Sequence, residues 1–179
     1  GYLSEGDTIT ITFGDTSEGS PGFKMQTFVE SGFEFKVLVD ACAVLHWVPI
    51  CDQPAISIVP GAPVAWKAVT STLRRPDEIF QLGIKAEDDW GNPSNLVDTK
   101  LRLEPNIMVK NLPETATFSK GQKSLVFEKL AVSDEGELRI KIFDAHNDDL
   151  LCEAGPLIIS NGSYGGYWAD LHGQSGESI

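Results

Sequence analysis

The sequence predicts an all-β protein, namely an antiparallel immunoglobulin-like β-sandwich preceded by additional β strands. Apolar and polar residues alternate with a period of two in several segments, which is typical of strands with one face in a core and one in water. No segment has the sustained i, i+3, i+4, i+7 apolar spacing of an amphipathic helix. Turn signals that contain Gly or Pro separate the alternating segments, and this spacing indicates an antiparallel sandwich.

Strand candidates occur along most of the chain. The clearest alternation lies, in order, at residues 8–13, 33–39, 64–68, 80–86 and 138–142. Shorter β-type segments lie at residues 44–48, 56–59, 101–103, 107–109, 125–127 and 157–159. The best helical candidate, residues 71–79, contains Pro76 in its interior and is therefore interpreted as a connection. The alternation also predicts an inward-facing set of side chains: Trp66, Leu82, Ile84, Leu138, Ile140 and Ile142.

The chain is predicted to contain three regions. Residues 56–160 hold enough strands for one immunoglobulin-like sandwich. Residues 1–55 form a partial β region, which either belongs to the same sandwich or is the remainder of another domain. Residues 161–179 begin with a Gly-rich linker and continue into a short apolar segment, which we interpret as the first strand of a further domain.

The charge excludes two classes of partner. There are 14 Lys and Arg residues against 26 Asp and Glu residues, which gives a net charge of −12. This field repels a phosphate backbone and an anionic membrane surface, so we expect no nucleic-acid partner and no membrane partner. No run of 18 apolar residues predicts a transmembrane helix. The first residues lack the features of a signal peptide, and the localisation is left unassigned.

Three cysteines are present, and their spacing does not fit a C-x-x-C metal or redox motif. Cys42 and Cys51 would form a disulfide if they faced each other across a strand pair. Small buried thiols are the more common case for such residues, and Cys152 has no partner by this count.

Two acidic loops and the four tryptophans, of which Trp168 belongs to the C-terminal tail, are candidates for binding. Residues 144–149 and 88–92 carry carboxylates that suit Ca²⁺, but solvated turns are the favoured interpretation because the regular calcium-loop spacing is missing. Trp47 and Trp66 lie inside strand segments and are expected in the core. Trp90 lies at a turn tip, where an exposed ring could stack on a sugar.

Asp170, His172 and Gln174 form the last candidate site. In a strand these alternate residues would point the same way, which suits a metal ligand, a neighbouring ligand and an orienting carboxylate. On spacing alone, a surface tail with one solvated histidine is the favoured interpretation, because a lone histidine is weak support for a metal site.

Residues 167–178, which read YWADLHGQSGES, resemble the opening motif of the catalytic domain in the DUF3604 family. These bacterial proteins are related to the PHP superfamily of metal-dependent phosphoesterases and hydrolases. Family members read Gly-Asp-Leu-His here, followed in one form by Gly-Gln-Ser-Gly-Glu, and Ala169 stands where Gly is usual. A looser similarity covers the Gly6-Asp7-Thr8-Ile9 start and the turn at residues 88–92, since members begin with β-sandwich material.

The resemblance implies a divalent transition metal in the intact protein and no cofactor in this chain. His172 matches the first histidine of the PHP His-x-His pair, while Gln174, an amide and a poorer ligand, stands where the second would be. The metal residues Asp170, His172 and Gln174 would thus act only with the missing catalytic domain.

The chain itself is then a non-catalytic N-terminal domain with a structural or assembly role and no catalytic residues. Its expected partners are the missing catalytic domain of the same protein and, through exposed strand edges, a second copy. The alternative is a carbohydrate- or Ca²⁺-binding sandwich module. An enzyme complete in 179 residues ranks last, because it would lack a nucleophile motif.

Overall fold

The computed structural model describes residues 4–40 and 43–162, and strands are the regular secondary structure of these ranges. No helix within them is long and apolar enough to cross a membrane. The strands, in chain order, are β1 (Glu30–Glu34), β2 (Leu38–Val39), β3 (Val48–Pro49), β4 (Ala55–Ile58), β5 (Ala65–Thr70), β6 (Leu73–Arg74), β7 (Phe80–Glu87), β8 (Thr99–Pro105), β9 (Thr115–Phe118), β10 (Leu125–Leu130), β11 (Gly136–Asp144) and β12 (Leu150–Ile159).

Two larger sheets share one apolar core. The five-stranded sheet has the order β6-β12-β11-β8-β9, and the three-stranded sheet has the order β10-β7-β5. Their strands pair antiparallel, except that β12 pairs parallel with the two-residue β6. The buried apolar cluster contains residues of β7 from one sheet and of β8, β11 and β12 from the other. The predicted all-β, antiparallel architecture is therefore confirmed.

The predicted inward face is also confirmed. Leu82, Ile84, Leu138, Ile140 and Ile142 are buried, each with at most 1% exposure. Trp66 is half-buried and packs edge-on against Phe118, with ring centroids 5.8 Å apart. Arg139 and Lys141, which alternate with the isoleucines of β11, are exposed. The register of β11 is thus the one that its alternation predicts.

The strand predicted at residues 8–13 is wrong. This segment has no strand structure, and its apolar members Ile9, Ile11 and Phe13 are more than half exposed. Alternation fits a strand, but a strand also needs a neighbour that pairs with its backbone. None of the described residues pairs with this segment as a strand, so the pattern by itself does not produce one.

Other strands predicted from the sequence are shorter in the structure or are absent from it. The candidate at 44–48 contributes only Val48 to a strand, β3, and residues 107–109 form none. Strand β9 was not predicted, because its sequence Thr-Ala-Thr-Phe offers too few apolar residues for a clear period. Residues 71–79 are a connection that contains β6, as expected.

The predicted boundary between residues 55 and 56 falls inside a strand that pairs with the N-terminal region. Strand β4, which begins at Ala55, pairs antiparallel with β1, and Ile56 lies opposite Phe33. Strands β2 and β3 form another two-stranded sheet. The division into residues 1–55, 56–160 and 161–179 stays a prediction.

Candidate ligand-binding cleft

The turn that follows β7 is built around a buried carboxylate. Asp88 is 6% exposed, and its Oδ1 accepts hydrogen bonds from the backbone N–H groups of Trp90 and Asn92, both at 2.9 Å. Its Oδ2 accepts from the backbone N–H of Gly61 at 2.9 Å. Aspartate commonly organises turns in this way, and Gly91 supplies the left-handed residue with φ of +82°. The side-chain amide of Asn92 and the N–H of Gly61 stabilise the carboxylate and lower the pKa of Asp88 to about 2.

Asn92 ties this turn to the N-terminal part of the chain. Its side chain is 6% exposed, and its Nδ2 donates to the carbonyl oxygen of Thr27 at 2.8 Å. The same Nδ2 lies 3.0 Å from Asp88 Oδ2. Its Oδ1 accepts from the N–H of Val29 at 3.2 Å. One amide therefore joins the end of β7 to a segment more than 60 residues earlier in the chain.

A cleft of about 360 Å³ lies where these segments meet. Three stretches line it: residues 24–27, residues 58–64 and the turn at 88–92. Trp90 is 61% exposed at the cleft, and Lys24, Gln26 and Asp89 are exposed as well. The side chain of Gln26 is oriented by a hydrogen bond, in which its Nε2 donates to the Glu30 carboxylate at 2.6 Å. The exposure that the sequence suggested for Trp90 is therefore present.

The acidic loop at residues 144–149 is organised as a turn between β11 and β12. Asp144 Oδ1 accepts from the N–H of His146 at 2.8 Å, and its Oδ2 accepts from Thr99 Oγ1 at 3.1 Å. Asp148 pairs with Arg102, and Asp149 accepts from the Asn147 amide. Within residues 4–40 and 43–162, no group of three or more His, Cys, Asp or Glu side chains is arranged to hold a metal ion. Each of these carboxylates thus bonds to the turn itself or to a residue of β8, which favours the turn interpretation.

The metal residues suggested by the tail motif cannot be located in the structure. Asp170, His172 and Gln174 all lie outside the described residues. His46 and His146, in the described part, are both exposed. The metal site that the tail motif suggests therefore stays a prediction from the sequence.

The cysteines give no reactive pair in the part of the chain that the structure describes. Cys51 has a free and exposed thiol, while Cys42, the other half of the disulfide considered from the sequence, lies outside the described residues. Cys51 is exposed, which contradicts the expectation of a small buried thiol at this position. Burial raises the pKa of the Cys152 thiol to about 11, which keeps it protonated and weakly nucleophilic.

The expected core position of Trp47 is wrong. Its side chain is 59% exposed, because it precedes the two-residue β3, and the small β2–β3 sheet does not contribute to the buried apolar cluster. Sequence reasoning also missed Lys24, Gln26 and the tie made by Asn92. No local signal could have found them, since these contacts join distant parts of the chain.

No known protein family model and no curated protein sequence matches this chain.

Proposed function

We propose that this chain is the non-catalytic N-terminal β portion of a DUF3604-like, PHP-related metal-dependent hydrolase, with a structural or assembly role. In this proposal, residues 56–160 form an immunoglobulin-like sandwich. The divalent transition metal would be bound by the catalytic domain with His172 and its neighbours Asp170 and Gln174. The motif at residues 167–178 supports the family, and one structural observation supports the role.

That observation is the uneven distribution of apolar side chains. The buried apolar residues of the described part all occur from Phe80 onward. Most of the exposed large apolar side chains instead lie before residue 65. Contiguous exposed apolar residues mark surfaces that contact other proteins, and three of these side chains, Val39, Val44 and Val48, line one groove. We refer to the following residues as the N-terminal apolar set: Ile9, Ile11, Phe28, Leu38, Val39, Val44, Leu45, Trp47 and Val48.

The charge around this set favours a partner over self-association. Residues 4–64 contain eight Asp and Glu residues and two basic residues, Lys24 and Lys36. Two such acidic regions repel each other, whereas a domain with an apolar surface and basic residues around it is attracted. A catalytic domain of that character would cover the N-terminal apolar set. A second copy would instead pair through an open edge of the three-stranded sheet, at β5 or β10.

The first test is the size and activity of the natural protein. Its intact mass is expected to exceed the 19.5 kDa of this chain. The purified natural protein is expected to hydrolyse a phosphoester such as bis-p-nitrophenyl phosphate when Mn²⁺ or Zn²⁺ is supplied. A natural mass of 19.5 kDa would refute the proposal, and so would a longer protein that contains no metal-dependent hydrolase domain.

The second test concerns the role. In the natural protein, Trp47→Asp places a charge in the N-terminal apolar set and is expected to lower the melting temperature by several degrees. Met108→Asp is the matched control, because Met108 is 87% exposed and lies outside the set. Equal effects of the two substitutions would count against a packing role for this set.

A further inference from the structure

Trp90 is presented to solvent on a rigid support. Its backbone N–H donates to Asp88 Oδ1 at 2.9 Å, and the next N–H, of Gly91, donates to the Asp88 carbonyl oxygen at 3.0 Å. Trp90 nevertheless stays 61% exposed at the cleft. An aromatic ring on a fixed backbone loses little entropy when it binds a ligand. The turn therefore fixes the backbone that carries the indole, and the exposed side chain can be reached by a flat partner with an apolar face.

The cleft beside the ring offers polar groups of both signs. Lys24 and Asp89 line it and are exposed. Neither has an ion-pair or hydrogen-bond partner through its side chain among the described residues. The carboxylate of Asp88, in contrast, already accepts from Gly61, Trp90 and Asn92. One ammonium and one carboxylate are thus left for a ligand, a pair that suits hydroxyl groups.

The net charge decides which ligands fit. The chain carries −12, and both Asp88 and Asp89 lie at the cleft, so an anionic ligand is disfavoured. A cationic ligand would gain from the same field, but it would leave the ammonium of Lys24, which also lines the cleft, without a partner. A volume of about 360 Å³ is at the lower end of the range of about 300–1,000 Å³ for small-molecule sites. A short, uncharged and polyhydroxylated ligand meets all of these conditions.

Trp47 provides an internal comparison. It is exposed to nearly the same extent as Trp90, 59% against 61%. The groove next to it in sequence has a volume of about 240 Å³ and is mainly apolar, with Val39, Val44 and Val48 in its wall, and Trp47 is not among its lining residues. Both tryptophans are therefore exposed, and of the two it is Trp90 that lines a polar cleft.

We propose that the cleft beside Trp90 binds a neutral oligosaccharide, with one sugar ring stacked on the indole and sugar hydroxyls bonded to Lys24 and Asp89. Stacking uses the apolar face of the sugar, and the two charged side chains fix its orientation. This site does not depend on the proposed hydrolase, because every residue in it belongs to the described part of this chain.

The test is calorimetric titration of the chain with cellohexaose, maltohexaose and mannohexaose, with hexagalacturonate as the anionic comparison. At least one neutral hexasaccharide is expected to bind, and Trp90→Ala is expected to weaken binding by about tenfold or more. Trp47→Ala, the matched control, is expected to keep the affinity within about twofold. Trp90→Tyr retains a ring and is expected to bind within about fivefold of the natural chain, which covers the case that the alanine variant does not fold.

Three results would overturn the proposal. The first is the absence of binding by all three neutral sugars up to about 10 mM. The second is an equal loss of affinity in Trp47→Ala and Trp90→Ala, or no loss in a folded Trp90→Ala. The third is binding of hexagalacturonate as tight as that of the best neutral sugar.

Discussion

Replacing Asn92 by alanine is expected to release the N-terminal segment from the end of β7 while the core stays folded. The side chain of Asn92 donates to the Thr27 carbonyl oxygen and accepts from the Val29 N–H, at 2.8 and 3.2 Å. Both partners belong to a segment that supplies none of the buried apolar cluster. Once the amide is removed, the pairing of Glu30 with Ile58 still holds one end of this segment, and no buried apolar side chain anchors the rest of it.

The size of the effect follows from the bonds lost. Each hydrogen bond between neutral groups contributes about 0.5–1.5 kcal/mol, so the two bonds to the N-terminal segment together contribute about 1–3 kcal/mol. This free energy corresponds to an increase of about 5- to 150-fold in the opening equilibrium of residues 24–30. The buried apolar residues of β7 and β11 are not touched by the substitution, so opening of the core should change far less.

Hydrogen–deuterium exchange measured on peptides gives both quantities in one experiment. Peptides that cover residues 24–30 should exchange faster in the variant by the factor given above. Peptides that cover β7 and β11 should keep their protection. Faster cleavage by trypsin after Lys24 is expected from the same opening.

Asn106→Ala is the matched control. Asn106 also bridges two main-chain groups, since its Nδ2 donates to Glu137 at 2.9 Å and its Oδ1 accepts from Arg139 at 2.7 Å. It lies on the other sheet, so its loss should leave exchange of residues 24–30 unchanged. If Asn92→Ala leaves that segment protected, or if Asn106→Ala exposes it equally, the tie does not act as we infer.

Four further predictions follow from burial, backbone conformation and pKa. Because the pKa of Asp88 is lowered from 3.8 to about 2 in the folded state, its contribution to stability is complete above about pH 4 and is lost as the pH falls toward 2. Asp88→Asn should therefore flatten the pH dependence of the urea midpoint in this window, and an unchanged slope would contradict the assignment. Ile140→Asp should destabilise by about 4 kcal/mol or more, since it buries a charge, whereas Lys141→Asp should stay within about 1 kcal/mol in urea unfolding. Phe118→Ala removes a fully buried ring and should cost about 3–5 kcal/mol by the same measurement, while a loss below 1 kcal/mol would mean that the core refills the cavity. Gly155 has φ of +114°, and a Cβ there would lie 2.7 Å from a carbonyl oxygen of β11, so Gly155→Ala should cost at least about 1–3 kcal/mol of thermal stability.

The fold class and the core face follow from local properties of the sequence. Alternation at residues 80–86 and 138–142 predicts both the strands and the side chains that they bury, because a strand turns successive side chains to opposite faces. The turn at residues 88–92 could be located in the same way, since Asp, Gly and Asn each favour turn conformations for local reasons. The exposed ring of Trp90 follows from its place at the tip of that turn.

Pairing and contact between distant segments could not be predicted in this way. Residues 8–13 alternate as well as β11 does, yet they form no strand, because a strand needs a partner that the local sequence does not specify. Trp47 is exposed for a related reason: an apolar side chain is buried only where another layer covers it.

Local sequence properties are enough to predict an all-β chain, the inner face of its longest strands, its negative charge and the turn that carries Trp90. The pairing of β4 with β1, the bonds from Asn92 to Thr27 and Val29, and the meeting of Lys24 and Trp90 at one cleft arise only when the chain folds. The physical reason is one of range. Backbone preference and side-chain alternation act over a few neighbouring residues, whereas the bond between Asn92 and Thr27, for example, joins residues 65 positions apart and depends on how the whole chain packs.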